Sequence, residues 1–245
     1  MTKGPLLLIG ATSDIGISIA YKFAEHGYDI QLAARNMTLI ESEKINIEKH
    51  YGVRVSIHEL DILKIQSHEK FLSSLNQMPE VAVSAVGYLK IQKESELNSE
   101  ISVKIFRTNF EGPANIFGLL ANYFEKRGSG TLIGISSVAG ERGRGSNYIY
   151  GSSKAGFTAF LSGLRNRLST KNVHVMTVLP GFVKTKMTSK ITSHKPFSAK
   201  PDDVSKAVFN GFKKKKNIIY VLPIWKFIML IIKSIPEFIF KKLSL

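Results

Sequence analysis

No cysteine occurs among the 245 residues. That excludes disulfides, thiolate metal sites and a cysteine nucleophile, and it fits a reducing compartment. Acids are also scarce: 19 Asp and Glu stand against 34 Lys and Arg, for a formal net charge of +15. The shortage is steepest near the end, where from Lys184 onward fourteen lysines face only Asp202, Asp203 and Glu237. No apolar run is long and unbroken enough to span a bilayer. Met1-Thr2-Lys3-Gly4-Pro5 leads straight into the first apolar stretch. That leaves no room for a signal peptide, so the expected location is cytoplasmic. The six histidines (His26, His50, His58, His68, His174 and His194) show no metal-ligand spacing. They are read as surface or packing residues, and no metal is expected.

What is present is enough for one α/β domain. The chain is 44% hydrophobic, ample for a core with helices on both faces of a sheet. Strands are expected at 5–9, 28–34, 53–58, 81–85, 131–135, 173–178 and 218–222. Helices are expected at about 15–26, 37–50, 64–76, 98–125, 148–170 and 201–213. This alternation implies a seven-stranded parallel sheet, doubly wound. Residues 1–217 form the main body, and 218–245 hold the last strand and an apolar, basic tail that is not a separate domain.

Three local patterns carry chemistry. First, Pro5-Leu6-Leu7-Leu8-Ile9 is followed by Gly10-Ala11-Thr12-Ser13-Asp14-Ile15-Gly16 and an amphipathic helix. Strand, glycine turn and helix form the phosphate-cradling start of a dinucleotide fold. Gly10 permits the tight turn, and Gly16 allows close packing of helix on strand. Asp14 is out of place, because a carboxylate beside a pyrophosphate is repelled. Capping of the helix that starts at Ile15 is the expected compensation. Second, Tyr150 and Lys154 lie four apart, on one face of a helix. A phenol is a poor acid-base group near neutrality, and an adjacent ammonium favours its ionisation. Such a pair can exchange a proton with an alcohol or ketone oxygen. Third, the strand ending in Ser136-Ser137 lies thirteen residues upstream of Tyr150, and Ser137 can bond the same substrate oxygen.

In this order, over residues 4–210, these patterns resemble the short-chain dehydrogenase/reductase family in its single-domain Rossmann form. The resemblance implies roles for further residues. Asn109 belongs with Ser137, Tyr150 and Lys154 as a catalytic group, holding a proton-relay water. Asp61, with Ile62 beside it, contacts the adenine. Pro180-Gly181 precedes the nicotinamide contacts, with the Val183 backbone and the Thr185 hydroxyl on the carboxamide. Thr12, Ser13, Asp14 and Ile15 line the phosphate turn. Gly87 is what remains of a family Asn-Asn-Ala-Gly, here Ser84-Ala85-Val86-Gly87. Where NAD binders place an acid, the second strand ends in Ala34, followed by Arg35 and Asn36. Arginine pairs with a 2′-phosphate, so NADP(H) is the expected cofactor. A substrate lid is expected at 184–200, and a homodimer or homotetramer through the 98–125 and 148–170 helices.

The tail narrows the substrate. After Tyr220-Val221-Leu222-Pro223, the run Ile224 to Lys233 is apolar but for Lys226 and Lys233, which share a face. It suits an amphipathic helix at a membrane interface, with Lys213-Lys214-Lys215-Lys216 adding attraction to anionic lipid at the inner face of the membrane. Packing on the body or on another subunit is the alternative. With Gly156 to Leu168 and the glycine turn, the tail resembles a bacterial branch of the family. That branch includes decaprenylphosphoryl-arabinose 2-keto reductase. The implied substrate is a lipid-linked keto-sugar. A soluble carbonyl reductase of small ketones and a non-enzymatic NADPH-binding regulator are the competing readings. Nucleic acid is not an expected partner, because the lysines interleave with aliphatic rather than stacking side chains.

Overall fold

The structure is a computed structural model and describes residues 3–189 and 196–243. Its strands are β1 Lys3–Ile9, β2 Tyr28–Ala34, β3 Val55–Glu59, β4 Val81–Ser84, β5 Gly130–Ile135, β6 Val173–Pro180 and β7 Ile218–Val221. All pair in parallel, in the order β3-β2-β1-β4-β5-β6-β7. The seven-stranded sheet read from the sequence is therefore present, with edges moved by a residue or two. Helices α1 Asp14–Ala24, α2 Glu41–Tyr51, α3 His68–Ser73, α4 Gln92–Leu97, α5 Ser99–Phe106, α6 Gly112–Arg127, α7 Tyr148–Leu168 and α8 Pro201–Lys213 connect or flank the strands. The tail forms α9 Ile224–Ser234 and α10 Glu237–Phe240.

Alternation along β1 shows why both sheet faces are covered. Leu6 and Leu8 enter one core with Ile19 and Phe23 of α1 and Val204 and Val208 of α8. Leu7 and Ile9 enter the other with Phe117 of α6 and Leu161 of α7. A strand apolar at every position is stable only when both of its faces are buried.

Three local features differ from the expected elements. The helix expected at 98–125 runs unbroken from Ser99 to Arg127 but is not regular: Asn98 caps its start through its side-chain oxygen, and Arg107–Glu111 forms a π-helical turn between α5 and α6. Pro113, which has no N–H to donate, follows directly on this π-helical turn, where the regular hydrogen-bond ladder is interrupted. The helix start at α1 is capped by Ser13, whose Oγ accepts from the Gly16 N–H at 3.3 Å. Asp14 is thus not the cap. Finally, Lys213–Lys216 lie at the entry of β7, and α9 leaves from its exit. The strand separates them, so this lysine run does not add to the α9 surface. Part of the expected lid, residues 190–195, lies outside the described residues.

The tail packs against the body. Trp225 and Met229 form a third apolar cluster with Val138 and Leu179. Arg142 holds the end of α9 by donating to the carbonyls of Ile232 and Ile235, at 2.7 and 2.6 Å, and it pairs with Glu237 at 2.9 Å. Its guanidinium also covers the Phe240 ring, 3.7 Å from the centroid. Among the described residues, no helix is long and apolar enough to cross a membrane.

Candidate active site

The strand order reverses between β1 and β4, and a crevice opens there above the carboxyl ends of the strands. A cleft of about 260 Å³ occupies it. The sequence-predicted residues line it from each strand end in turn. Gly10, Thr12, Ser13, Asp14 and Ile15 come after β1, and Arg35 after β2. Asp61 and Ile62 follow β3, and Gly87 follows β4. Ser137, Tyr150 and Lys154 stand at the end of β5, and Pro180, Gly181, Val183 and Thr185 at the end of β6.

The cleft floor is shaped for close backbone approach. Gly10 has φ +92, and a Cβ there would lie 3.0 Å from the Val86 nitrogen. Gly16 lies beneath the turn, not in the cleft; a Cβ on it would press on Ala85 and Leu8 at 3.0 and 3.1 Å. These residues fit a dinucleotide: a narrow cradle, a capped helix start with free N–H groups and, among the described residues, no acid paired with exposed Arg35. Glu59 sits opposite Ala34 in the β2–β3 ladder but does not line the cleft.

The catalytic candidates are brought together by the packing of α7 on the turn after β5. A Cβ on Gly151 would meet the Ala139 carbonyl at 2.8 Å, and one on Gly140 would meet the Ala155 nitrogen at 2.6 Å. These contacts set the Ser137 turn against the first turns of α7. Ser137 Oγ accepts from the Ala139 N–H at 3.1 Å and hydrogen-bonds the Tyr150 phenol. Lys154 is buried, and its Nζ donates to the Ile135 carbonyl at 3.1 Å. It lies 5.9 Å from the centre of the Tyr150 ring.

Burial dominates the protonation of both groups. It pushes the Tyr150 phenol up to about 12, against the opposing pull of the Ser137 hydrogen bond. It pushes the Lys154 ammonium down to about 8. The expected lowering of the tyrosine by Lys154 is not seen: desolvation raises the phenol, and the ammonium is directed at a backbone carbonyl. A stability test follows. Between about 8 and 10.5, the unfolded chain holds a proton on Lys154 that the folded protein sheds. This residue's contribution to stability therefore rises with pH across that window. Lys154→Met is expected to flatten the rise. Melting temperatures of both proteins at about pH 7 and about pH 10 measure it; parallel shifts would refute the assignment.

Besides Gly16, two sequence-predicted residues do not line the cleft. Asn36 caps the turn at Met37–Ile40, accepting from the Thr38 N–H at 3.0 Å and from its hydroxyl at 2.7 Å. Asn109 is fully buried in the π-helical turn. Its Oδ1 accepts from the Tyr88 N–H at 2.7 Å, and its Nδ2 donates to the Tyr88 carbonyl at 2.9 Å and to Ser153 Oγ at 3.1 Å. The side chain thus clamps the segment after Gly87, and the water expected on it would compete with three protein partners. Tyr88, Leu89, Lys104 and Thr108 also line the cleft and were missed, while Met187 and Thr188 belong to the lid expected at 184–200. Adjacency to Gly87 was the available signal for Tyr88 and Leu89; nothing local marks Lys104.

Comparison with known proteins agrees with this geometry. The family model for short chain dehydrogenases matches residues 6–196. The chain belongs to that family, and it is an oxidoreductase. An uncharacterised oxidoreductase of Mycobacterium tuberculosis (strain ATCC 25618 / H37Rv) is 29% identical over 242 residues, 98% of this chain and 96% of that protein. The 3-oxoacyl-(acyl-carrier-protein) reductase of Chlamydia muridarum is 27% identical over 192 residues, 77% of each chain. Among solved structures, a short-chain dehydrogenase from Sphingobium yanoikuyae in complex with NADPH superposes with a TM-score of 0.84 at 21% identity. That match covers 96% of this chain and 97% of the other.

Proposed function

We propose that this oxidoreductase uses NADP(H) to reduce a ketone to a secondary alcohol, or the reverse, and that its substrate is a lipid-linked keto-sugar. The observation that carries the reaction is the convergence of Ser137, Tyr150 and Lys154 in a cleft opened by the glycine turn. When bound, the nicotinamide cofactor supplies or accepts the hydride. Arg35 would pair with its 2′-phosphate, Asp61 and Ile62 would hold the adenine, and Val183 and Thr185 would receive the carboxamide. Tyr150 gives its phenolic proton to the carbonyl oxygen, Ser137 orients that oxygen, and Lys154 restores charge balance behind the phenol. Asn109 positions the wall at Tyr88.

The substrate reading rests on two features. Lys104 lines the cleft, 5.0 Å from the Tyr88 ring centre, and has no ion pair among the described residues. It suits an anionic group such as a phosphate. The outward face of α9 carries Phe227, Leu230 and Ile231, exposed by 61%, 64% and 66%. Exposed Lys226, Lys241 and Lys242 lie on α9 and just after α10, and the nearby acids Glu141 and Glu237 are paired with Lys233 and Arg142. Like charge opposes a second copy on this face, whereas an anionic bilayer matches both its apolar centre and its basic rim. This face supports a location at the inner membrane surface. Exposed Val103, Phe106 and Phe110 support a dimer formed elsewhere, through the α5–α6 side.

The test is oxidation of NADPH, with NADH in parallel, by purified protein given a detergent-solubilised lipid extract or an aqueous extract of its host. Turnover with NADPH on the lipid fraction is expected. Turnover confined to the aqueous fraction would sink the lipid-linked substrate, and equal use of NADH would sink the role of Arg35.

A further inference from the structure

Asp14 stands at the first position of α1, where the phosphates of a dinucleotide would meet free N–H groups. Ser13 already caps the helix, so the carboxylate is free for another use. It reaches a segment 172 residues away: Oδ2 accepts from the Lys186 backbone N–H at 2.7 Å, and Oδ1 lies 3.7 Å from Lys186 Nζ. The receiving turn, Thr185–Thr188, is closed on itself by a capping box between its two threonines. On the opposite wall, the Met187 methyl would lie 3.2 Å from a Cβ placed on Gly87. The turn thus bridges the cleft like a strap, fixed at Asp14 on one side and resting on Gly87 at the other.

We propose that Asp14 is a positioning residue that latches this strap and makes its closure depend on a bound pyrophosphate. The argument rests on the dinucleotide reading of the cleft. A lone carboxylate at a phosphate site is repelled. With the strap closed, the Lys186 N–H and ammonium offset part of that charge. With the strap open, Asp14 faces the phosphates unpaired. Occupation of the cleft by a pyrophosphate therefore penalises the open state more than the closed one, which is a coupling between cofactor and strap. It also explains how an acid is tolerated in a turn that serves phosphate.

Hydrogen exchange at the Lys186 amide tests both parts without reading activity. In the free protein, Asp14→Ala is expected to speed exchange at Lys186 by about tenfold, since a charge-assisted bond is lost. Asp14→Asn keeps an acceptor oxygen and should exchange within about threefold of wild type. Unchanged exchange in Asp14→Ala would overturn the latch. Addition of NADPH should slow the Lys186 amide in the wild type, and by a smaller factor in Asp14→Asn, where no charge is left to be exposed. An equal NADPH effect in both proteins would overturn the coupling. If NADPH fails to bind the wild type, the cofactor reading and the coupling fall together, while the latch is still decided by Asp14→Ala in the free protein.

Discussion

Tyr150→Phe is expected to lower the rate of ketone reduction by about a hundred- to ten-thousand-fold, while NADPH binds within a few-fold of wild-type affinity. The phenylalanine ring keeps the packing of the first turn of α7 and removes only the hydroxyl. The neighbouring polar groups cannot take over its proton transfer. Ser137 is a far weaker acid, and the Lys154 Nζ is directed at the Ile135 carbonyl. The environment also sets a direction. With the phenol pushed up to about 12, it stays protonated at neutral pH and is loaded as a donor for reduction. Alcohol oxidation needs the phenolate, so its rate should climb as pH rises toward that value while reduction does not. A variant retaining more than about a tenth of wild-type turnover would show that another group supplies the proton.

Gly181→Ala is expected to unseat the tail and to damage the cofactor side of the cleft together. A Cβ at this position would fall inside the Trp225 indole, against which the Gly181 backbone is packed. The indole cannot easily retreat, because Trp225 is buried, stacks edge-on against Phe182 at 5.6 Å, and donates from Nε1 to the Phe197 carbonyl at 3.3 Å. Overpacking of this kind costs about 1–3 kcal/mol, and a melting temperature lower by roughly 2–12 °C is the readout. A double-mutant cycle isolates the cause. Trp225→Ala alone should cost about 3–5 kcal/mol through the cavity it leaves. Added to it, Gly181→Ala should then cost less than about 0.5 kcal/mol, because the clash is gone. Strict additivity would mean that the glycine is required for some reason other than the indole.

Much of this molecule was legible before its structure was described, and the legible parts share a short range. Alternating apolar runs specified the seven parallel strands, since a strand buried on both faces must be apolar throughout. The glycine turn, the i,i+4 pairing of Tyr150 with Lys154 and the Arg35 that replaces an acid are each set within a few residues. The same holds for the apolar character of Ile224–Ile232, which was read as an amphipathic helix and is α9. What was misread depends on partners far away in the chain. Asp14 looked like a helix cap because capping is the local option; its partner is Lys186. Asn109 is likewise turned toward Tyr88, 21 residues earlier, by the π-helical turn; Asn36 is the exception, held by Thr38 only two residues on.

The sequence by itself determined the sheet and the cleft's position above the strand ends, because local backbone preference and hydrophobic period suffice for both, and it marked Tyr150 and Lys154 as the candidate proton-transfer pair through their i,i+4 spacing. Only the tertiary structure decided how those groups are protonated. Burial depth is a property of the packed core, and here it raises the Tyr150 phenol and lowers the Lys154 ammonium. It also decided which lysines border the apolar face of α9. Charge along a chain has no direction until the fold sends Lys213–Lys216 to one end of β7 and α9 to the other.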